Sequence, residues 1–229
     1  VTYFTPSQRA RKLRGHLLLF LLLAIGLLIL TVLDRPLWKL LLLDPDKSLE
    51  RKDWWQLLRQ FGSMLTWLII GGCLILLDAS RARATSNATL RAGAWHRGLM
   101  VVLATSLAGG LAELLKGLLG RARPLETGEY RFAWMEPGVH LPGGLASSHT
   151  AVAFAGAIML GWFVPAWRVP LFLLAYGCAM TRVVVGAHFV TDVYVGVLIS
   201  WGTCVVLWRL FSANPGGTHH PWASWRHLR

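Results

Sequence analysis

The chain has 229 residues, 55% of them hydrophobic, with a mean hydropathy of +0.50 and a formal net charge of +12. Charged residues make up only 15% and gather between long leucine-rich runs, which excludes an ordinary soluble domain and describes a polytopic membrane protein. The positive charge sits at the ends of those runs, with no interleaved aromatic and basic module, so it is read as topology signals and lipid contacts and not as nucleic-acid binding.

In chain order, the first apolar run covers about residues 16–33 behind the basic stretch "RARKLRG". It is longer than the core of a usual signal peptide, and no small-residue cleavage pattern follows, so a retained first span is expected. Segment 34–61 mixes both charge signs with Trp38, Trp54 and Trp55. It reads equally as an amphipathic helix in the headgroup layer and as a solvated loop. Further spans are expected near 62–77, 98–119, 148–164, 169–187 and 190–211. The expected fold is therefore all-α: a polytopic membrane helix bundle of about six transmembrane helices, forming one domain over residues 1–229. Cys73, Cys178 and Cys204 all lie in apolar runs without a CxxC pair, which points to buried, unreactive thiols.

Orientation follows from the Lys/Arg asymmetry. Arg9, Arg11, Lys12 and Arg14 precede the first span; Arg81, Arg83, Arg91 and Arg97, opposed only by Asp78, separate the second and third; Arg226 and Arg229 end the tail. These regions are expected to face the cytoplasm, with both termini there. Segments 34–61, 120–147 and 186–191 then face outward.

Three polar islands fall on that outward side. The first is "KGLLGRARP", where Lys116 and Arg123 stand two helical turns apart and are able to share a face. Snorkelling cations at an interface are the simpler reading of Lys116 alone. The second is "ASSHT", Ala146 to Thr150, at the start of an apolar helix. Free N–H groups and the positive end of the helix dipole suit an anion there, and an N-cap with an interfacial histidine suits the same residues. The third is "TRVVVGAHFVTD", in which Arg182 and Asp192 are embedded in apolar sequence and His188 stands four before Asp192. Such residues in spans are costly and usually functional, though a helix-packing ion pair is an alternative. On one face together, Lys116, Arg123 and Arg182 with a helix N-terminus describe a phosphate cradle. His149 and His188 describe phosphoryl transfer with a nucleophile and an acid.

These residues resemble the type 2 phosphatidic acid phosphatase superfamily, which also includes vanadium haloperoxidases and bacterial acid phosphatases. Its pattern is K-x6-RP, then PSGH, then SR-x5-H-x3-D. "KGLLGRARP" matches the first; "TRVVVGAHFVTD" matches the third with Thr181 for Ser; "ASSH" matches the second at Ser147 and His149, with Ala146 for Pro and Ser148 for Gly. The resemblance covers residues 116–192. It implies that His188 is the nucleophile, Asp192 its orienting partner and His149 the general acid. Lys116, Arg123, Arg182, Ser147 and the Ser148 backbone N–H would form the oxyanion cradle, and no metal or cofactor would be required.

The activity implied is hydrolysis of a lipid phosphate monoester or pyrophosphate at the periplasmic face of a bacterial inner membrane. Undecaprenyl pyrophosphate, phosphatidylglycerol phosphate, phosphatidic acid and lipid A are the candidate substrates. Headgroup contacts are expected from 34–61 and from 125–140, which holds Glu126, Glu129, Tyr130, Arg131, Trp134 and His140. Two rivals are a phosphotransferase that passes the group to a lipid or sugar acceptor, and a non-enzymatic transporter or scaffold for anionic lipid. The His188–Asp192 pair argues against the second rival.

Overall fold

The computed structural model describes residues 6–84, 95–124 and 143–212. Among them are seven α-helices and no strand: α1 (Pro6–Leu41), α2 (Asp53–Gln60), α3 (Met64–Arg83), α4 (His96–Leu119), α5 (Ser148–Phe163), α6 (Arg168–Val184) and α7 (Val190–Ser212). Four are long and apolar enough to cross a bilayer: Leu17–Leu41 within α1, α3, α4, and Val190–Phe211 within α7. The other two expected spans form shorter helices, α5 with 16 residues and α6 with 17.

α5 is the centre of the bundle. Every residue from Thr150 to Gly161 is buried, and most are Ala, Gly or another apolar type. A helix apolar on all sides needs neighbours on all sides, and its small residues let them approach. α4, α6 and α7 pack around it. Trp67 of α3 lies directly on Gly156, where a Cβ would meet the indole ring. The indole is fully buried and anchored, Nε1 donating to the Phe61 carbonyl at 2.8 Å. Gly156→Ala is therefore expected to cost ~1–3 kcal/mol of stability through overpacking. Thermal melting in detergent measures it, and an unchanged midpoint would show that the contact yields.

The outer surface of the bundle is apolar. On α1, Leu18, Phe20, Leu28 and Val32 are all more than half exposed, as lipid-facing side chains are. Tyr194 of α7 holds α1 by donating to the Leu23 carbonyl at 3.1 Å.

One boundary differs from the sequence expectation. α1 does not stop at Leu33; it runs through Asp34, Arg35 and Pro36 to Leu41. Asp34 has no need of solvent because it is fully buried against a partner distant in sequence. Pro36 removes only one intrahelical hydrogen bond. The expected interfacial segment thus begins after Leu41. It contains a 3-10 turn, Ser48–Arg51, and the short α2, whose Trp55 is buried while Trp54 is exposed.

The described parts of the segments expected to face outward gather at one end of the bundle. Leu43 N–H and Asp44 N–H donate to the Val184 carbonyl at 3.2 and 3.3 Å, holding the segment after α1 against the end of α6. At the opposite end Arg97 Nε donates to the buried Asp78 carboxylate at 2.7 Å, tying α3 to α4. Arg91, the headgroup candidates in 125–140, and Arg226 and Arg229 lie outside the described residues.

Candidate active site

A cavity of about 440 Å³ opens at the gathered end, and its lining includes Lys116, Arg123, Ser148, His149, Arg182 and His188. Six of the eight residues singled out in the sequence therefore meet at one surface. The remaining two, Ser147 and Asp192, are fully buried behind it.

The cations come from three places. Lys116 stands in the last turn of α4. The helix ends at Gly120, which takes the left-handed conformation (φ 53°) favoured by glycine, and its N–H bonds back to the Lys116 carbonyl at 2.9 Å. Arg123 is past that cap, so the two cations do not share a helix face as their spacing suggested; the turn of the chain brings them together. Lys116 Nζ donates to Ser148 Oγ at 2.8 Å and to the exposed carboxylate of Glu113 at 2.7 Å. The serine that stands where the resembled pattern has glycine thus accepts from Lys116. Arg182, near the end of α6, is 8% exposed, and its Nε has no hydrogen-bond partner among the described residues. No carboxylate among the described residues lies within 4.0 Å of it. A buried guanidinium with no carboxylate at salt-bridge distance is costly, so this part of the cavity suits an anion.

Ser147 is the N-cap residue of α5, but its side chain makes no capping bond. Its Oγ accepts from Thr150 Oγ1 at 3.0 Å, and its N–H donates to the Asp192 carbonyl at 3.0 Å. The hydroxyl therefore faces inward, not toward the cavity, while the first-turn amides of α5 carry no side-chain cap. That leaves the helix N-terminus itself as the anion-binding element.

His188 lies in the turn between α6 and α7, two residues before the helix that carries Asp192. The two do not sit on one helical face; the turn folds His188 back over the first turn of α7. Its Nδ1 is 2.8 Å from the Gly144 carbonyl and 3.5 Å from Asp192 Oδ2. A carbonyl only accepts, so Nδ1 carries the proton and Nε2 holds the lone pair. Gly144 makes the shorter contact to Nδ1, and Asp192, whose oxygens also accept from two other donors, stands close behind it. Oδ2 accepts from Phe189 N–H at 2.8 Å, and Oδ1 accepts from Arg121 Nη1 at 2.5 Å. Burial holds the His188 imidazole below the ordinary histidine range; Asp192 pulls it back up, while Arg182 and Lys116 push it further down. The ring is thus neutral and nucleophilic at neutral pH.

Arg121 and Asp34 were not singled out in the sequence. Arg121 is 1% exposed and forks between two fully buried carboxylates, Asp34 Oδ2 at 2.8 Å and Asp192 Oδ1 at 2.5 Å. Its Nη1 also reaches Thr191 Oγ1 at 2.7 Å, and its guanidinium lies 4.4 Å from the Phe189 ring centroid. Its carbonyl accepts from Gly144 N–H at 2.6 Å. Both groups that face His188 Nδ1 therefore trace back to Arg121: Asp192 through its side chain and Gly144 through its main chain. The available signal was an acid at the end of one apolar run and an arginine at the end of another, neither with a local partner.

Arg182, Lys116 and Arg123 around a neutral imidazole, beside a second imidazole on a helix N-terminus, are able to bind a phosphate and transfer it. Residues 97–215 match the PAP2 superfamily model. The chain is 29% identical over 223 residues to a lipid A 1-phosphatase of Rhizobium johnstonii, covering 90% of this chain and 87% of that protein. It is 30% identical over 184 residues to a lipid A 1-phosphatase of Rhizobium etli, covering 72% and 77%. Among solved structures, the transmembrane PAP2-type phosphatidylglycerolphosphate phosphatase of Bacillus subtilis aligns with a TM-score of 0.48 at 20% identity, over 84% of this chain and 95% of that one.

Proposed function

The chain belongs to the PAP2 superfamily, and from that premise and the geometry of the cavity we propose that it hydrolyses a lipid phosphate monoester through a phosphohistidine on His188. The observation that carries this reading is the buried Arg182, with no carboxylate among the described residues within 4.0 Å, facing the same cavity as the neutral His188. Lipid A carrying a 1-phosphate is the first substrate to test, because the Rhizobium relatives that align over most of this chain act at that position.

In the proposed reaction Arg182, Arg123, Lys116 and the α5 amides hold the three non-bridging oxygens. The bound phosphate anion offsets the surrounding cations and lets His149 take up a proton from solvent; His188 Nε2 attacks phosphorus in line, the bond from phosphorus to the lipid oxygen breaks, and His149 gives that proton to the oxygen as it leaves. Water then attacks the phosphohistidine while His149 takes one of its protons, and inorganic phosphate departs with Nε2 restored. Asp192 stabilises the positive charge that His188 gains during attack. The cations supply the charge that a metal supplies elsewhere, so we assign no metal. We place the site at the periplasmic side of the membrane, following the loop charges.

Purified protein in detergent, mixed briefly with radiolabelled substrate and quenched in alkali, is expected to carry an acid-labile label on His188. kcat/KM should hold as pH falls through about 6.5, the ordinary histidine value, and drop only lower, where His188 gains its proton. Turnover without any trapped label, or an acid limb above the ordinary histidine range, would overturn the mechanism.

A further inference from the structure

A second cavity of about 650 Å³ adjoins the first, between α2, α4 and α5, and the two share Glu113, Ser148 and His149. In the proposed reaction His149 protonates the oxygen that joins phosphorus to the rest of the lipid. A group at that oxygen has the phosphoryl on one side and the departing alcohol on the other. His149 lines both cavities, so if the cation-lined one holds phosphate, the larger one receives the alcohol.

The walls of this cleft say what kind of alcohol. From α2 come Gln56 and Arg59, from α4 Ser106 and Glu113, and between them Met64 of α3 and Val152 of α5 add an apolar floor on which the carbon faces of a ring or glycerol rest. Arg59 donates only, and no carboxylate among the described residues lies within 4.0 Å of it; Glu113, opposite, accepts only. A hydroxyl both donates and accepts, so several hydroxyls set between these walls satisfy both, whereas an acyl chain there would desolvate them without replacement. The volume also exceeds what a bare phosphate ester needs and lies in the range of about 300–1,000 Å³ that encloses a sizeable ligand. Part of that width comes from Gly110, where a Cβ would meet nothing within 4 Å.

We propose that this cleft is the leaving-group subsite, that it takes a hydroxyl-rich headgroup, and that Arg59 and Glu113 determine the specificity. The proposal rests on the phosphatase reading above and names residues outside the family motif. Glycosyl and glycerol headgroups share the required chemistry, and the two are separated by experiment.

The full chain, purified in detergent, is assayed for phosphate release from a glycosyl phosphate lipid, from phosphatidylglycerol phosphate and from a short monoalkyl phosphate that lacks hydroxyls. Gly110→Leu, which fills the cleft from a position with open space, is expected to lower kcat/KM for a headgroup-bearing substrate relative to the alkyl phosphate by about tenfold or more. Arg59→Gln is expected to raise KM for that same substrate while kcat changes little, as loss of uniform binding does. The arm with the larger selective loss identifies the headgroup as glycosyl or glycerol. Equal losses on all three substrates, or no loss in either variant, overturn the subsite while leaving the phosphatase reading intact. Absence of wild-type turnover on all three overturns both.

Discussion

His188→Ala is expected to slow phosphate release from a lipid phosphate by about a thousandfold or more, the scale seen when a covalent nucleophile is deleted. Alanine has no atom to accept the phosphoryl group. The other imidazole at the cavity, His149, lies on the first turn of α5 without the Gly144 and Asp192 anchors that orient His188. His149→Ala should differ in kind: a loss of about 10²–10⁴ typical of a missing general acid or base, with label still able to reach His188. Parallel melting curves guard the result, since deleting the His188 ring removes one buried hydrogen bond worth about 1–3 kcal/mol. Unchanged turnover in His188→Ala would sink the covalent mechanism.

Arg121→Gln is expected to be the most destabilising substitution around the site, at about 3–5 kcal/mol. The glutamine leaves Asp34 and Asp192 as two fully buried carboxylates without their shared cation. Arg121→Lys should recover only part of the loss, because one ammonium cannot fork between two carboxylates as a guanidinium does. Adding Asp34→Asn to Arg121→Gln should recover stability by removing one of the stranded charges. Melting in detergent reads all four proteins. If Arg121→Gln melts like the wild type, the network is not what joins α1 to the helices of the site.

The two predictions differ in how far their residues were legible. His188 stood out as an imidazole in the same short polar island as an embedded arginine and aspartate, and its motif spacing marked it. Asp34 looked like the first residue of an interfacial loop, and Arg121 like one of several basic residues after a span. Each has its partner far away, with Asp34 and Arg121 separated by 87 positions. Local patterns of hydrophobicity carry helical period and span length, and they carry no record of which distant element a side chain will meet.

A similar gap separates spacing from geometry at His188 and Asp192. Four residues apart implied a shared helix face; in the fold a turn, not a helix, carries His188. The pair still approaches, but Gly144, on a loop from another part of the chain, makes the direct hydrogen bond. Lys116 and Arg123 likewise meet through the left-handed turn at Gly120 and not along one helix.

By itself, the sequence determined the all-α membrane class, the positions of the apolar helices and the set of ionisable residues proposed for the site. Apolar length, charge placement and motif spacing are local quantities, readable along a chain. Only the tertiary structure decided that six of those residues share one cavity, that Arg121 joins Asp34 to Asp192, that Ser147 turns its hydroxyl inward, and that a larger cleft of mixed polarity adjoins His149. Those outcomes depend on how close helices approach and which buried charges they bring together, and packing of distant segments sets both.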